Sequence, residues 1–142
     1  MSSFSTLVFS LLISLFFADL IIIEGSIFQN KQVTVNITNA LKGINNQLTI
    51  HCRSGDDDLG FHQLPHLASY AFSFRPNFWG TTLFYCTYEW LGFFHYFDTY
   101  KDVRDRIKCN RTLCLWIVFE EAICMFNYET KAYDICYRWL AK

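Results

Sequence analysis

The sequence has little charge of either sign and no cluster of basic residues. Charged residues make up 18% of the 142 residues, and the formal net charge is −1. Nucleic-acid-binding domains carry a basic patch or stripe that neutralises phosphates, so the lack of one argues against nucleic acid as the partner. The hydrophobic content of 52% likewise excludes a disordered chain, and we expect a packed core.

Only one hydrophobic run is long enough to matter for targeting, and it lies at the N-terminus. Residues 4–23 carry a single charge, Asp19, and two small residues follow this run. The pattern predicts a secretory signal peptide over residues 1–25 and one domain over residues 26–142. An uncleaved anchor is the alternative, since about 20 apolar residues can span a bilayer. Because no second run of that length occurs, we expect a cleaved product to be a soluble extracellular protein.

Neither an unpaired cysteine nor a familiar catalytic motif is present. Six cysteines follow the predicted signal peptide, and an even number in a secreted chain indicates disulfides. They allow 15 complete pairings, among which the sequence does not choose; we expect the short loop Cys109–Cys114 to be one. Full pairing leaves no thiolate nucleophile, and Gly-x-Ser-x-Gly, His-Glu-x-x-His and a phosphate-binding glycine loop are absent, so we do not expect an enzyme. The predicted disulfide residues are Cys52, Cys86, Cys109, Cys114, Cys124 and Cys136.

No apolar stripe of helical period runs through the predicted domain, whereas alternation of period two recurs. Residues 31–41 and 48–53 alternate apolar and polar side chains, and we expect them to pair as an antiparallel hairpin across residues 42–47. Further alternating runs include residues 69–75, 81–91 and several after Gly92. The predicted fold is all-β: a small disulfide-stabilised β-sandwich of about seven or eight antiparallel strands.

Candidate metal and cofactor ligands are present, but their spacing is poor. Asp56, Asp57 and Asp58 follow a glycine in what we interpret as a solvated turn, because three adjacent acids cannot all face one Ca²⁺ ion. His62 and His66 flank Pro65 in a predicted loop over residues 62–67, where a four-residue spacing has no geometric meaning. We therefore expect no metal and no small-molecule cofactor.

Other features concern the surface and the core. Asn36 and Asn110 begin N-glycosylation sequons, and both are predicted to face solvent. The four tryptophans fall at positions that alternate within predicted strands, so we assign them to the core. These residues are Trp79, Trp90, Trp116 and Trp139.

Several of these segments together resemble the plant self-incompatibility protein S1 family, also called S-protein homologues. The most specific is LTIHCRSGDDDLG, which is close to the family's signature of a hydrophobic residue, His-Cys and Asp-Asp-Asp-Leu-Gly. Other matching segments, in order from residue 32 to residue 140, are VTVNITNAL, YAFSF, FWGTTLFYCTYEW, FFHYFDTYKDVRD, CLWIV and DICYRW. The resemblance implies a small secreted β-sandwich, and in the best-understood case a stigma determinant recognised by a pollen receptor.

We therefore expect a secreted signalling ligand that is a monomer and binds a plasma-membrane receptor through its loops. The predicted contact surface is chiefly residues 101–111, with residues 42–47 and 62–66 behind it, because these loops are polar. An apoplastic effector or inhibitor that binds another secreted protein is the alternative. The predicted partner-binding residues in the first loop are Asp102, Arg104, Asp105 and Arg106, whose mixed charge suits specificity.

Overall fold

The computed structural model describes residues 2–27 and 30–140. It contains two compact units, Met1–Asn30 and Lys31–Lys142. The second unit carries nine strands and one short helix. In chain order its elements are β1 Val33–Asn39, β2 Leu48–Arg53, β3 Asp58–Leu64, β4 Ser69–Phe74, β5 Leu83–Trp90, β6 Phe93–Lys101, α2 Asp102–Asp105, β7 Leu113–Val118, β8 Ala122–Asn127 and β9 Ala132–Arg138.

The first unit contains one helix, α1, which spans Ser2–Ile27. Its sequence is rich in leucine, isoleucine and phenylalanine and has no proline, so nothing interrupts the helix. Within the described residues, no helix combines the length and hydropathy of a membrane span. Cleavage after residue 25 stays a prediction. Met1 of the predicted signal peptide and residues 28–29 and 141–142 of the predicted domain lie outside the described residues.

The strands of the second unit form two sheets, as a sandwich requires. One sheet has the order β4-β1-β7-β8-β9, and the other has the order β3-β2-β5-β6. In β1, Val33, Val35 and Ile37 are buried while the intervening residues are half-buried, which is the alternation read from the sequence. The prediction of a small disulfide-stabilised all-β fold is confirmed.

Two predictions about pairing were wrong. Residues 31–41 and 48–53 do not form a hairpin, because β1 and β2 belong to different sheets and residues 40–47 carry the chain between them. Nor are all strands antiparallel, since β1 runs parallel to β7, with Val35 opposite Cys114. Both errors concern partners far apart in the chain, about which local alternation gives no information.

The count of seven or eight strands also missed β3. We had assigned residues 62–67 to a loop, yet His62, Gln63 and Leu64 complete a strand that pairs with β2. Gly60 has φ of +75°, and the register with β2 shifts between His51 and Arg53. This irregularity removes the strict alternation by which a strand is recognised in a sequence.

Aromatic side chains fill the space between the sheets. Tyr88, Tyr100 and Trp116 are fully buried, and Trp90 is nearly so. Trp139 packs against this core from its edge, and its indole Nε1 donates to the Phe119 carbonyl at 2.9 Å. The assignment of the tryptophans to the core was wrong for Trp79, which is 81% exposed in the loop before β5.

All six cysteines are paired, in three disulfides that span 34, 5 and 12 residues. Cys52–Cys86 joins directly opposed residues of β2 and β5 inside the core. Cys124–Cys136 joins opposed residues of β8 and β9, with Cys136 exposed. Cys109–Cys114, the short bridge that we expected, closes the turn between α2 and β7. Each bridge restricts the unfolded chain and typically contributes about 2–4 kcal/mol.

Candidate recognition surface

Three connecting segments meet at one end of the sandwich. They are residues 54–57, residues 75–82 and residues 101–112, which include α2. They lie together because Arg53 pairs with Tyr85 near the start of β5, Leu83 pairs with Lys101, and the Asp102 N–H donates to the Thr82 carbonyl at 3.1 Å. We call this group of segments the α2 end.

The base of the α2 end is a buried network of charges. Asp102 is 4% exposed and Asp105 is fully buried. Asp105 forms an ion pair with Arg104 at 2.7 Å and accepts the Lys101 backbone N–H at 2.8 Å. Asp102 accepts the Tyr100 hydroxyl at 2.7 Å and pairs with Arg106 at 2.8 Å. Buried charges persist only when paired and hydrogen-bonded, and every carboxylate here meets that condition.

Arg104 links this network to the aromatic core. Its guanidinium lies 4.9–5.6 Å from the ring centroids of Phe97, Trp116 and Tyr137, and it donates to the Asp98 carbonyl at 2.6 Å. Burial alone would lower the pKa of Arg104, but the hydrogen bond and the charge of Asp105 outweigh burial and raise it. Arg104 is therefore a permanent cation fixed between rings and a carboxylate.

This geometry shows that three of the four predicted partner-binding residues are not exposed for contact with a partner. Polarity suggested that they face solvent, but Asp102 and Asp105 are buried and Arg104 is only 19% exposed in its side chain. Arg106 retains a side chain that is 41% exposed. Two apolar side chains of this segment point outward beside its exposed polar ones: Val103 is 79% exposed and Ile107 is 82% exposed. The charges thus hold a short turn that presents two aliphatic residues.

The loop over residues 75–82 presents two aromatic rings. Asn77 fixes its shape, because its backbone N–H donates to the Thr82 hydroxyl at 2.7 Å and its side-chain oxygen accepts the Thr81 N–H at 3.0 Å. Phe78 and Trp79, which are 62% and 81% exposed, form an edge-on pair with centroids 5.4 Å apart. The sequence reading missed this pair, although the breaks at Pro76-Asn77 and Gly80 marked the residues between them as a loop.

Two open clefts lie beside these rings. One, of ≈ 500 Å³, is lined by the turn over residues 54–57 and by residues of the loop over 75–82 and the start of β5. The other, of ≈ 230 Å³, lies between residues 80–83 and residues 101–103. Clefts flanked by exposed aromatic and aliphatic side chains are the usual places where a partner inserts an anchoring side chain.

The turn after β2 is closed by its own hydrogen bonds. The Ser54 hydroxyl accepts the Asp57 N–H at 3.0 Å, and the Ser54 N–H donates to the Asp57 carbonyl at 2.8 Å. Asp58 turns away toward His51 Nε2, at 2.6 Å, and accepts the Gly60 N–H at 2.9 Å. Among residues 2–27 and 30–140, no group of three His, Cys, Asp or Glu side chains is placed to hold a metal.

The other two loops proposed for partner contact lie at the opposite end of the sandwich. Residues 42–47 follow the end of β1, where the Lys42 N–H donates to the Glu120 side chain. Asn39 fixes this region, because its amide donates to the carbonyls of Asn46 and Leu64. His62, which belongs to β3, stacks on Tyr70 with centroids 3.7 Å apart. The three predicted loops therefore do not form one surface.

The two predicted glycosylation sites have different surroundings. Asn110 is exposed in the turn that Cys109–Cys114 closes, with φ of +48°. Asn36 lies in the middle of β1, is half-buried and is flanked by strands on both sides. Attachment of a glycan at either residue stays a prediction, and Asn110 has the more accessible side chain.

Comparisons with known proteins agree with the fold. The family profile described as plant self-incompatibility protein S1 matches residues 34–139. S-protein homolog 2 of Arabidopsis thaliana is 44% identical over 120 residues, which cover 81% of this chain and 73% of the relative. S-protein homolog 3 of the same plant is 42% identical over 107 residues, which cover 74% of this chain and 71% of the relative.

One solved structure has the same fold as this chain. It is described as "Structure of SPH (Self-Incompatibility Protein Homologue) proteins, a widespread family of small, highly stable, secreted proteins from plants". It aligns with a TM-score of 0.58 at 20% identity and covers 78% of this chain and 96% of that chain. At that identity the likeness concerns the fold.

Proposed function

We propose, from the premise that this chain belongs to the plant self-incompatibility protein S1 family, that it is an extracellular ligand which binds a receptor on the plant cell surface. The predicted family is confirmed, and so is the predicted localisation, because this is a family of secreted plant proteins. Receptor binding goes further than family membership, and it draws its support from the α2 end.

The observation that carries the proposal is the set of large apolar side chains exposed at the α2 end. Trp79, Phe78, Val103 and Ile107 are each more than 60% exposed, so most of each side chain is open to a partner. Trp is among the residues that most often dominate binding energy at protein interfaces. The buried ion pairs beneath Val103 hold the segment in place, which lowers the ordering cost of binding.

The side chains that could act as nucleophile or base are engaged in structural contacts. All six cysteines are in disulfides, so no cysteine thiolate is available. His51, the buried histidine of the signature segment, is engaged by Asp58 and Arg53 under the ring of Phe61. Its contacts are those of a structural residue.

Binding to protoplasts tests the proposal, because protoplasts have a plasma membrane but no cell wall. The labelled protein, recovered from the medium of plant cells that express the full chain, should bind saturably. Trp79→Ala with Val103→Asp should weaken binding by at least about 30-fold, the loss of one interface hot spot. Ile44→Ala is the matched control, because Ile44 is 88% exposed at the opposite end.

Two outcomes would contradict the proposal. If the labelled protein does not bind protoplasts but captures a secreted hydrolase from the extracellular fluid, the apoplastic effector or inhibitor is the correct function. If Ile44→Ala weakens binding as much as the paired α2-end substitutions, the receptor is not bound through the α2 end.

A further inference from the structure

A third cleft lies on the outer face of the four-stranded sheet and shares Tyr85 with the ≈ 500 Å³ cleft at the α2 end. Its volume is ≈ 360 Å³, within the usual range for small-ligand sites. All four strands contribute a side chain to it. The residues on which the inference rests are His51, Arg53, Phe61, Tyr85, Phe94 and Tyr96.

Aromatic rings that the core does not use form the walls of this cleft. Phe61 is 70% exposed, Tyr96 is 57% exposed and Phe94 is 46% exposed. Tyr85 and Tyr96 stack across β5 and β6, with centroids 5.7 Å apart and planes at 29°. On the outer face of a sheet these positions are normally polar, so four aromatic rings here indicate a ligand with an apolar face.

The floor of the cleft is polar, rigid and balanced in charge. His51 is 7% exposed, lies beneath Phe61 with centroids 4.1 Å apart, and contacts Asp58 at 2.6 Å. Arg53 Nε and Nη2 each lie 3.2 Å from a ring nitrogen of His51, so the guanidinium is held at the imidazole. Arg53 also lies 3.5 Å from the Asp58 carboxylate, which cancels its charge.

Charge and hydrogen-bonding chemistry limit what can occupy the cleft. A cation would meet the guanidinium of Arg53, which lines the cleft, and an anion gains little from that guanidinium because Asp58 pairs with it next to the cleft. The Arg53 guanidinium supplies hydrogen-bond donors at the rim. Burial, the charge of Asp98 and a hydrogen bond to Asp98 raise the pKa of Tyr96, so the Tyr96 ring, and not its hydroxyl, is what the cleft offers. The fitting ligand is uncharged, rich in hydroxyl groups and flat on one side.

We propose that this cleft binds a neutral glycan, with a pyranose ring stacked on the tyrosine pair and its hydroxyls hydrogen-bonded to Arg53. A pyranose ring has an apolar C–H face and equatorial hydroxyls, and the volume of the cleft suits one or two rings. This site is distinct from the four exposed apolar residues of the receptor proposal, because it shares no residue with the loop over residues 75–82 or with α2.

Isothermal titration calorimetry with defined sugars tests this proposal. The secreted protein is titrated with cellotetraose, laminaritetraose and mannotetraose as neutral probes, and with tetragalacturonate as the anionic probe. At least one neutral sugar should bind saturably. Tyr96→Ala should weaken that binding by at least about tenfold, a loss typical of one stacking ring. Trp79→Ala is the matched control, because it removes an exposed ring outside the cleft, and it should change the Kd by less than about twofold.

Several results would overturn the proposal. They are no binding of any neutral sugar up to about 5 mM, tighter binding of tetragalacturonate than of every neutral probe, and equal binding by Tyr96→Ala and wild type. Tyr85→Ala serves as the second variant if near-UV circular dichroism shows Tyr96→Ala to be misfolded. Since protoplasts lack wall glycans, loss of protoplast binding bears on the receptor proposal and loss of sugar binding bears on this one.

Discussion

Removal of the Asp105 carboxylate is the sharpest perturbation of the network that supports the α2 end. Asp105 is fully buried and makes two kinds of contact: an ion pair with Arg104 at 2.7 Å and a hydrogen bond from the Lys101 N–H at 2.8 Å. In Asp105→Ala, Arg104 would keep its charge against the rings of the core without the carboxylate to which it is hydrogen-bonded. The Lys101 N–H would also lose its acceptor.

The expected cost follows from how little solvent reaches Arg104. Its side chain is 19% exposed, so water cannot replace the lost carboxylate. Removing one member of such a pair typically lowers the free energy of unfolding by about 3–5 kcal/mol, which is much of the stability of a small domain. The double variant Asp105→Ala with Arg104→Met should recover part of this loss, because methionine keeps the apolar stem and removes the stranded charge.

Guanidinium chloride unfolding at pH 7, with disulfides intact and tryptophan fluorescence as the signal, measures these changes. Asp56→Ala is the matched control, because Asp56 is exposed in the turn after β2, and it should change the free energy by less than about 0.5 kcal/mol. A loss below about 1 kcal/mol in Asp105→Ala, or a double variant less stable than the single one, would refute the account of a buried, paired network.

Three further perturbations test other parts of the structure. Hydrogen bonds from the Gly60 N–H and then from His51 lower the pKa of Asp58, so the ionised carboxylate stabilises the fold at pH 7 and this stabilisation is lost as pH falls from about 4 through the lowered pKa. Asp58→Asn should therefore be less stable than wild type at pH 7 and equal to it at the acid limit. A stability difference that stays constant across denaturation curves at several pH values would contradict this assignment. Mild reduction should open Cys124–Cys136 first, because Cys136 is exposed while the cysteines of the other two bridges are at most 1% exposed, and differential alkylation reports the order. Labelling of Cys52 or Cys109 before Cys136 would show that solvent accessibility does not set the order of reduction. Gly80→Ala should lower the free energy of unfolding by more than about 1–2 kcal/mol, because Gly80 has φ of +72° and an added Cβ would lie 3.2 Å from the buried Asp102 carboxylate. Gly92→Ala, at φ of +80° in open space, should show the backbone cost alone. Equal losses of unfolding free energy in the two variants would mean that the contact with Asp102 does not destabilise the fold.

Much of the fold was accessible from the sequence because it is encoded locally. Alternation of apolar and polar residues identified β1, β2, β4 and β5 within a few residues of their bounds. The even cysteine count predicted complete pairing, and the five-residue spacing of Cys109 and Cys114 singled out one bridge. The signature LTIHCRSGDDDLG identified the family, which the profile match over residues 34–139 confirms.

The failures concern strand pairing, backbone irregularity and burial, none of which apolar alternation encodes. The parallel pairing of β1 with β7 leaves no mark in either strand alone. β3 was hidden by the positive φ of Gly60 and the accompanying shift in register. Asp102 and Asp105 looked like surface residues because polarity does not reveal that Arg104, Arg106 and Tyr100 satisfy their carboxylates.

The candidate surface was predicted only in part. Residues 101–111 were chosen for their polarity, yet the exposed side chains that distinguish this segment are those of Val103 and Ile107. The neighbouring Phe78-Trp79 pair was assigned partly to the core, since an aromatic residue is more often buried than displayed. Only the packing of the loop over residues 75–82 against α2 brings these residues to the same end.

Photo-crosslinking on protoplasts tests the central claim most directly. In three separate variants, a photoreactive amino acid replaces Val103 at the α2 end, Ile44 at the opposite end, or Tyr96 in the cleft on the outer face of the four-stranded sheet. The captured proteins are identified by mass spectrometry. The account predicts that a single plasma-membrane protein is captured from position 103 and not from positions 44 or 96. Capture of that protein from position 44, or of no membrane protein from position 103, would contradict the claim that the α2 end binds a cell-surface receptor.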